Sequence, residues 1–172
     1  MKKGAKVLII MGSDSDLAVM SESAVILEEF GVPYEMTISS AHRSPLLVHK
    51  LASEALKQGI KVIIAGAGGA AHLAGVIASF ATLPVIGIPI KAKTLNGIDS
   101  LLSTSQMPPG VPVATVGING AKNAGLLAIQ ILALSDKILE KKLLAYKKKM
   151  EGDIKKKIEK LSKIGYKKYL EK

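Results

Sequence analysis

Short runs of aliphatic and β-branched residues alternate along this chain with longer stretches in which apolar side chains return every three or four positions. Val7–Met11, Tyr34–Ile38, Lys61–Ala65, Val85–Ile90 and Val113–Val116 read as strands. Asp16–Phe30, Leu46–Gln58, Ala71–Ala81 and Asn123–Leu134 read as the helices between them. Such alternation predicts an α/β fold built on a five-stranded parallel sheet with crossover helices. The connection over 93–110 breaks the rhythm. It holds the turn-prone Leu95-Asn96-Gly97 and Met107-Pro108-Pro109-Gly110 with only a short helix between them, which suggests a lid.

From residue 137 onward the pattern changes. Leu139, Leu143, Tyr146, Met150, Ile154, Ile158 and Leu161 form one helical stripe with lysines on the opposite face, and Glu151-Gly152-Asp153 is the expected kink. Residues 1–136 therefore read as the α/β body and 137–172 as a lysine-rich helical extension, a strap for its own or a neighbouring subunit. The formal net charge of +10 belongs almost entirely to that extension, where 14 lysines face 5 acidic residues. The body is nearly neutral. With 3% aromatic residues the chain lacks stacking platforms for single strands, so the charge argues for a solvated helix face over a nucleic-acid surface.

A length of 172 residues with 48% hydrophobic content suits one compact domain with its own core. The absence of cysteine removes disulfides, thiolate ligands and thiol nucleophiles. Apolar runs stay well under the roughly 18 residues that span a bilayer, and the lead from Met1 to Lys6 is too short for a signal peptide. A cytoplasmic protein is expected.

Parallel sheets bind ligands beyond the carboxyl ends of their strands, so chemistry is sought there. After the first strand comes Gly12-Ser13-Asp14-Ser15-Asp16, whose hydroxyls and free amides suit a phosphate or ribose, or equally the N-cap of a helix. After the second comes Ser40-Ala41-His42-Arg43. Arg43 is the only arginine among 24 basic residues, and a planar five-donor fork beside a histidine points to an oxyanion clamp next to an acid/base. After the third comes Gly66-Ala67-Gly68-Gly69-Ala70-Ala71-His72. Its glycines match a dinucleotide fingerprint in spacing, yet they follow the third strand and the next acid is Asp99. What remains is a loop whose backbone amides can approach a small planar ligand. His72 either contacts that ligand or packs against structure, and His49 is read as structural or surface. Three dispersed histidines offer no metal-ligand set.

Taken together, Met11-Gly12-Ser13-Asp14-Ser15-Asp16, Ser40-Ala41-His42-Arg43-Ser44-Pro45, Ala65-Gly66-Ala67-Gly68-Gly69-Ala70-Ala71-His72-Leu73, Asp99-Ser100-Leu101 and Gln106-Met107-Pro108 resemble the bacterial-type (class I) 5-(carboxyamino)imidazole ribonucleotide mutases of purine biosynthesis. The resemblance covers roughly residues 5–150. It implies a flavodoxin-like three-layer α/β/α sandwich with an extra C-terminal helix, assembled as an octamer whose C-terminal helices embrace neighbours. It also implies carboxyl transfer from an exocyclic amine to ring carbon C4 without ATP, metal or organic cofactor. By position, His42 would shuttle the proton, and Ser13, Asp16 and Arg43 would hold the ribose phosphate with help from Ser15 and Ser40. Gly66, Gly68, Gly69, His72 and Leu73 would line the rest of the substrate site. The chain departs from the family at Ala74, where proline is usual, at Asn96, and at Ser103-Thr104-Ser105. Two alternatives share parts of the pattern. Animal-type relatives carboxylate aminoimidazole ribonucleotide directly with carbon dioxide but usually carry lysine after the histidine, and a flavodoxin-like binding module would share the strands without the chemistry.

Overall fold

All five strands are parallel, in the order β2-β1-β3-β4-β5, in a computed structural model that describes residues 4–170. They are β1 (Val7–Met11), β2 (Tyr34–Ile38), β3 (Val62–Gly68), β4 (Val85–Ile90) and β5 (Ala114–Thr115). Between them lie α1 (Leu17–Phe30), α2 (Pro45–Glu54), α3 (Leu73–Phe80) and α4 (Ile98–Ser105), followed by α5 (Ala121–Ala133) and α6 (Lys137–Leu170). The architecture is the expected flavodoxin-like sandwich with an additional C-terminal helix.

Alternation along the strands decides which helices lie on which face. Leu8, Ile10, Ile63, Ala65 and Val85 turn toward α2 and α3, where they pack with Val48, Ala52, Leu73, Ala74 and Ile77. Their neighbours turn the other way. In register with Met11, Gly66 faces α1 so closely that a Cβ there would lie 2.2 Å from Met20 Sδ. Ser23 Oγ of α1 donates to Ala121 O of α5 at 2.7 Å, and a Cβ on Gly125 would strike Ile26, so α1 and α5 cross in near-backbone contact on that second face. Both faces of the sheet are thus covered, as its almost wholly apolar central strands require.

Two strands differ from expectation. β3 runs to Gly68, three residues beyond Ala65, because the glycine run continues pairing with β4 up to Gly68↔Ile90. β5 shrinks to two residues, since it pairs only with β4 at the sheet edge.

The chain divides into two compact units, one ending at Leu132 and the other beginning at Ala133. The second is dominated by α6, whose first turn is capped by Asp136 Oδ1 accepting from Ile138 N at 2.8 Å and Leu139 N at 3.1 Å. The kink expected at Gly152 is absent. α6 passes through it, with the Lys155–Glu151 ion pair spanning the position, and leaves helical geometry at Gly165 instead (φ 73°, ψ 161°). Glycine is the residue that tolerates that left-handed conformation.

Candidate active site

β1 connects to one side of the sheet and β2 returns to the other, which opens a crevice at the carboxyl ends of β1 and β3. A cleft of about 530 Å³ occupies it. The loop after β1 supplies one wall. Gly12 N continues the ladder by donating to Gly66 O at 3.0 Å, after which residues 14–16 form a single 3₁₀ turn leading into α1. Ser13 Oγ accepts weakly from Ser15 N at 3.4 Å, so it caps the turn and also lines the cleft. Asp16 stands at the N-cap of α1 yet makes no side-chain capping bond. It is 7% exposed, receives a hydrogen bond from Ser15 Oγ at 3.3 Å and borders the cleft. Burial pushes its carboxyl above the ordinary value, against the opposing pull of hydrogen bonds from Ser15 and the Ser13 backbone and of the Arg43 charge.

The second wall is folded by serine hydroxyls. Ser40 Oγ accepts from the backbone amides of His42 (3.3 Å) and Arg43 (3.2 Å), while Ser44 Oγ accepts from Ser40 N and donates to Ser40 O at 3.0 and 3.1 Å. Ser39 Oγ lies 3.2 Å from Ser44 Oγ and donates to it, because the Ser44 proton is already committed. Ser39 and Ser44 shape the turn that aims its neighbours, a task the sequence motif conceals because a serine looks the same whether it binds ligand or backbone. Arg43 Nη2 then donates to Gly12 O at 2.9 Å, tying this loop to the first.

The glycine-rich segment divides its labour. Gly66 lies within β3, packed on Met20, and is not among the cleft-lining residues. Gly68 and Gly69 do line the cleft. A Cβ on Gly68 would meet Ile90 O at 3.2 Å, and Gly69 adopts φ +63°, a conformation natural to glycine. Leu73 is 2% exposed and serves both the cleft floor and the core. His72 leaves the N-cap of α3 uncapped and turns to His42, with His42 Nε2 2.9 Å from His72 Nδ1 and the rings nearly perpendicular. A single proton fits between those nitrogens, so one imidazole donates while the other accepts. Proton transfer along the pair needs no movement of either ring.

His49 stacks edge-on to Phe80, with ring centroids 4.6 Å apart, away from the cleft lining. The expected lid segment 107–110 contributes no lining residue. Met107 instead packs on Gly75 of α3, where a Cβ would lie 2.8 Å from its sulfur. Ile90, Lys91 and Ala92 also line the cleft and were not singled out from the sequence; their position at the carboxyl end of β4 was the available signal. Among the described residues no cluster of three metal-ligating side chains occurs, and no helix is long and apolar enough to cross a membrane.

Comparison with known proteins agrees with this geometry. Residues 6–153 match the family model described as AIR carboxylase. The N5-carboxyaminoimidazole ribonucleotide mutase of Pyrococcus horikoshii is 59% identical over 162 residues, spanning 94% of this chain and 92% of that one. A phosphoribosylaminoimidazole carboxylase of Candida glabrata is 56% identical over 163 residues, but these are 95% of this chain and 29% of the fungal one. The crystal structure of Treponema denticola PurE superposes with a TM-score of 0.79 at 33% identity, covering 94% of this chain and 99% of that one.

Proposed function

This chain belongs to the AIR carboxylase family, and from that premise we propose that it is an isomerase of purine biosynthesis. It converts 5-carboxyamino-1-(5-phosphoribosyl)imidazole to 5-amino-1-(5-phosphoribosyl)imidazole-4-carboxylate. The observation that carries the reading is the hydrogen-bonded His42–His72 pair, which lines one cleft together with Arg43, Gly68 and Gly69.

Each group then has a task. The Arg43 fork and the Ser13 hydroxyl donate to the phosphate, with Ser15 and Ser40 adding hydrogen bonds, and Asp16 accepts from a ribose hydroxyl. Backbone amides around Gly68 and Gly69 meet the carboxylate. His42 protonates the exocyclic nitrogen as the N–CO₂ bond breaks, which releases carbon dioxide inside the cleft. Carbon C4 attacks that carbon dioxide, and the proton displaced from C4 returns to His42, so the imidazole ends as it began. His72 holds the ring of His42 in place and keeps the shared proton in reach.

Relatives matched over nearly their whole length support the mutase over direct carboxylation, since the fungal carboxylases contain much chain with no counterpart here. Residues 1–136 form the catalytic body and 137–172 an assembly extension of a cytoplasmic homo-octamer. The deciding experiment supplies the carboxyamino substrate and, separately, aminoimidazole ribonucleotide with bicarbonate. Efficient turnover of the first alone is expected; preference for the second would make the protein a carboxylase.

A further inference from the structure

The cleft has a second cationic position to which the mechanism above assigns nothing. Lys91 is the first residue past β4 and lines the cleft between Ile90 and Ala92. Its backbone is held from several directions. Asn119 Oδ1 accepts from Lys91 N at 2.8 Å, Asn119 N donates to Pro89 O at 2.9 Å, and Ser100 Oγ donates to Ile90 O at 2.8 Å. Asn119 does so from left-handed backbone (φ 56°), and Gly97 packs so near that a Cβ there would lie 3.3 Å from Lys91 Cα. The base of this lysine is fixed, and the residue is exposed. Lys91 takes part in none of the ion pairs seen among the described residues.

We propose that Lys91 binds the migrating carboxyl group, at the end of the cleft opposite Arg43. Arg43 follows β2 and Lys91 follows β4, three strand steps apart in the order β2-β1-β3-β4. At about 4.8 Å per step that is roughly 14 Å, which two long side chains reaching inward narrow to the length of a phosphoribosyl imidazole. The inference rests on the ribonucleotide reading above. That ligand is anionic at both ends, with a phosphate at one and a carboxylate at the other, and a single guanidinium neutralises only one of them. The side-chain-free Gly68 and Gly69 leave room for a planar ring between the two cations. Free carbon dioxide carries no net charge, so the lysine acts on the carboxylate before N–C cleavage and after C–C formation.

The test is calorimetric titration of the full-length protein and its Lys91→Met variant with two ligands, the 4-carboxylated product ribonucleotide and uncarboxylated aminoimidazole ribonucleotide. Loss of a charge-assisted contact should raise Kd for the carboxylated ligand about tenfold or more. Aminoimidazole ribonucleotide should bind as in the wild type, and Lys91→Arg should restore much of the loss. Equal weakening of both ligands would place Lys91 on the phosphate, and no weakening of either would leave it without a binding role; each result overturns the proposal. Lys91→Gln, which keeps a polar stem without charge, replaces the methionine variant if that one folds poorly. Wild-type protein that binds neither ribonucleotide would instead remove the ribonucleotide reading, and this inference with it.

Discussion

Positive charge is used in two opposite ways in this molecule. On α6 it is abundant and local: 13 lysines occupy residues 137–170, and the ion pairs there join neighbours three or four residues apart with both partners well exposed. In the cleft it is scarce and placed. Arg43 reaches across 31 residues of sequence to Gly12 O, and the Lys91 amide is held by Asn119, 28 residues away. Screening by water and salt leaves an exposed helical pair worth a few tenths of a kcal/mol, whereas a charge held by backbone at a concave site can decide which ligand binds. The number of charges in a region is therefore a poor guide to where the chemistry sits.

The comparison is sharpest at His42. His42→Asn keeps a polar side chain of similar reach but cannot relay a proton, so kcat should fall by roughly 10²- to 10⁴-fold with little change in ligand affinity. Single-turnover kinetics alongside calorimetry separate the two effects, and comparable losses in both would return His42 to a binding role. Next is Arg43→Lys. A point charge cannot reproduce the fork that reaches both Gly12 O and an oxyanion, so affinity should drop by about tenfold to a hundredfold, equivalent to about 1.5 to 3 kcal/mol.

Asp16 adds a dependence on pH. Burial raises its carboxyl above 3.8 in the folded protein, so the folded chain keeps that proton longer than the unfolded one. The group's stabilising contribution is complete below the unfolded value and is lost as pH rises through the raised folded value. Asp16→Asn should thus melt higher than the wild type at neutral pH without ligand, with the difference fading as pH falls through the carboxylate range. Melting curves from pH 3 to 8 would show it; a gap that widens toward low pH contradicts the assignment. The smallest effect belongs to the helix. Lys155→Gln breaks its contact with Glu151 and should change stability by about 0.3 to 0.5 kcal/mol at most, fading in salt. A large effect there would end the contrast between solvated and placed charge.

Periodicity located three of the strands, β1, β2 and β4, at their observed ends, because burial on alternate sides, or on both, leaves a mark within a few residues of chain. It erred where tertiary pairing decides the length, extending β3 through its glycines and trimming β5 at the edge. The kink expected at Gly152 followed from intrinsic propensity, yet a glycine in a helix interior costs only about 1 kcal/mol, which a long helix absorbs without breaking. In the cleft, Ser13, Asp16, His42 and Arg43 were legible as unusual residue types just past strands. Gly66 was not separable from Gly68, since the same letter serves to admit Met20 at one position and to line the cleft at the other.

From its sequence alone, this chain settled its class of fold, the order of its elements and the loops that carry polar side chains, all consequences of interactions between residues close along the chain. Strand order decided the rest. Placing β1 between β2 and β3 brings His42, after β2, within 2.9 Å of His72, after β3 and thirty residues away, and the cleft is completed by Lys91 just past β4. Those distances arise from packing among residues remote in sequence, and a linear pattern records which side chains exist without recording which of them meet.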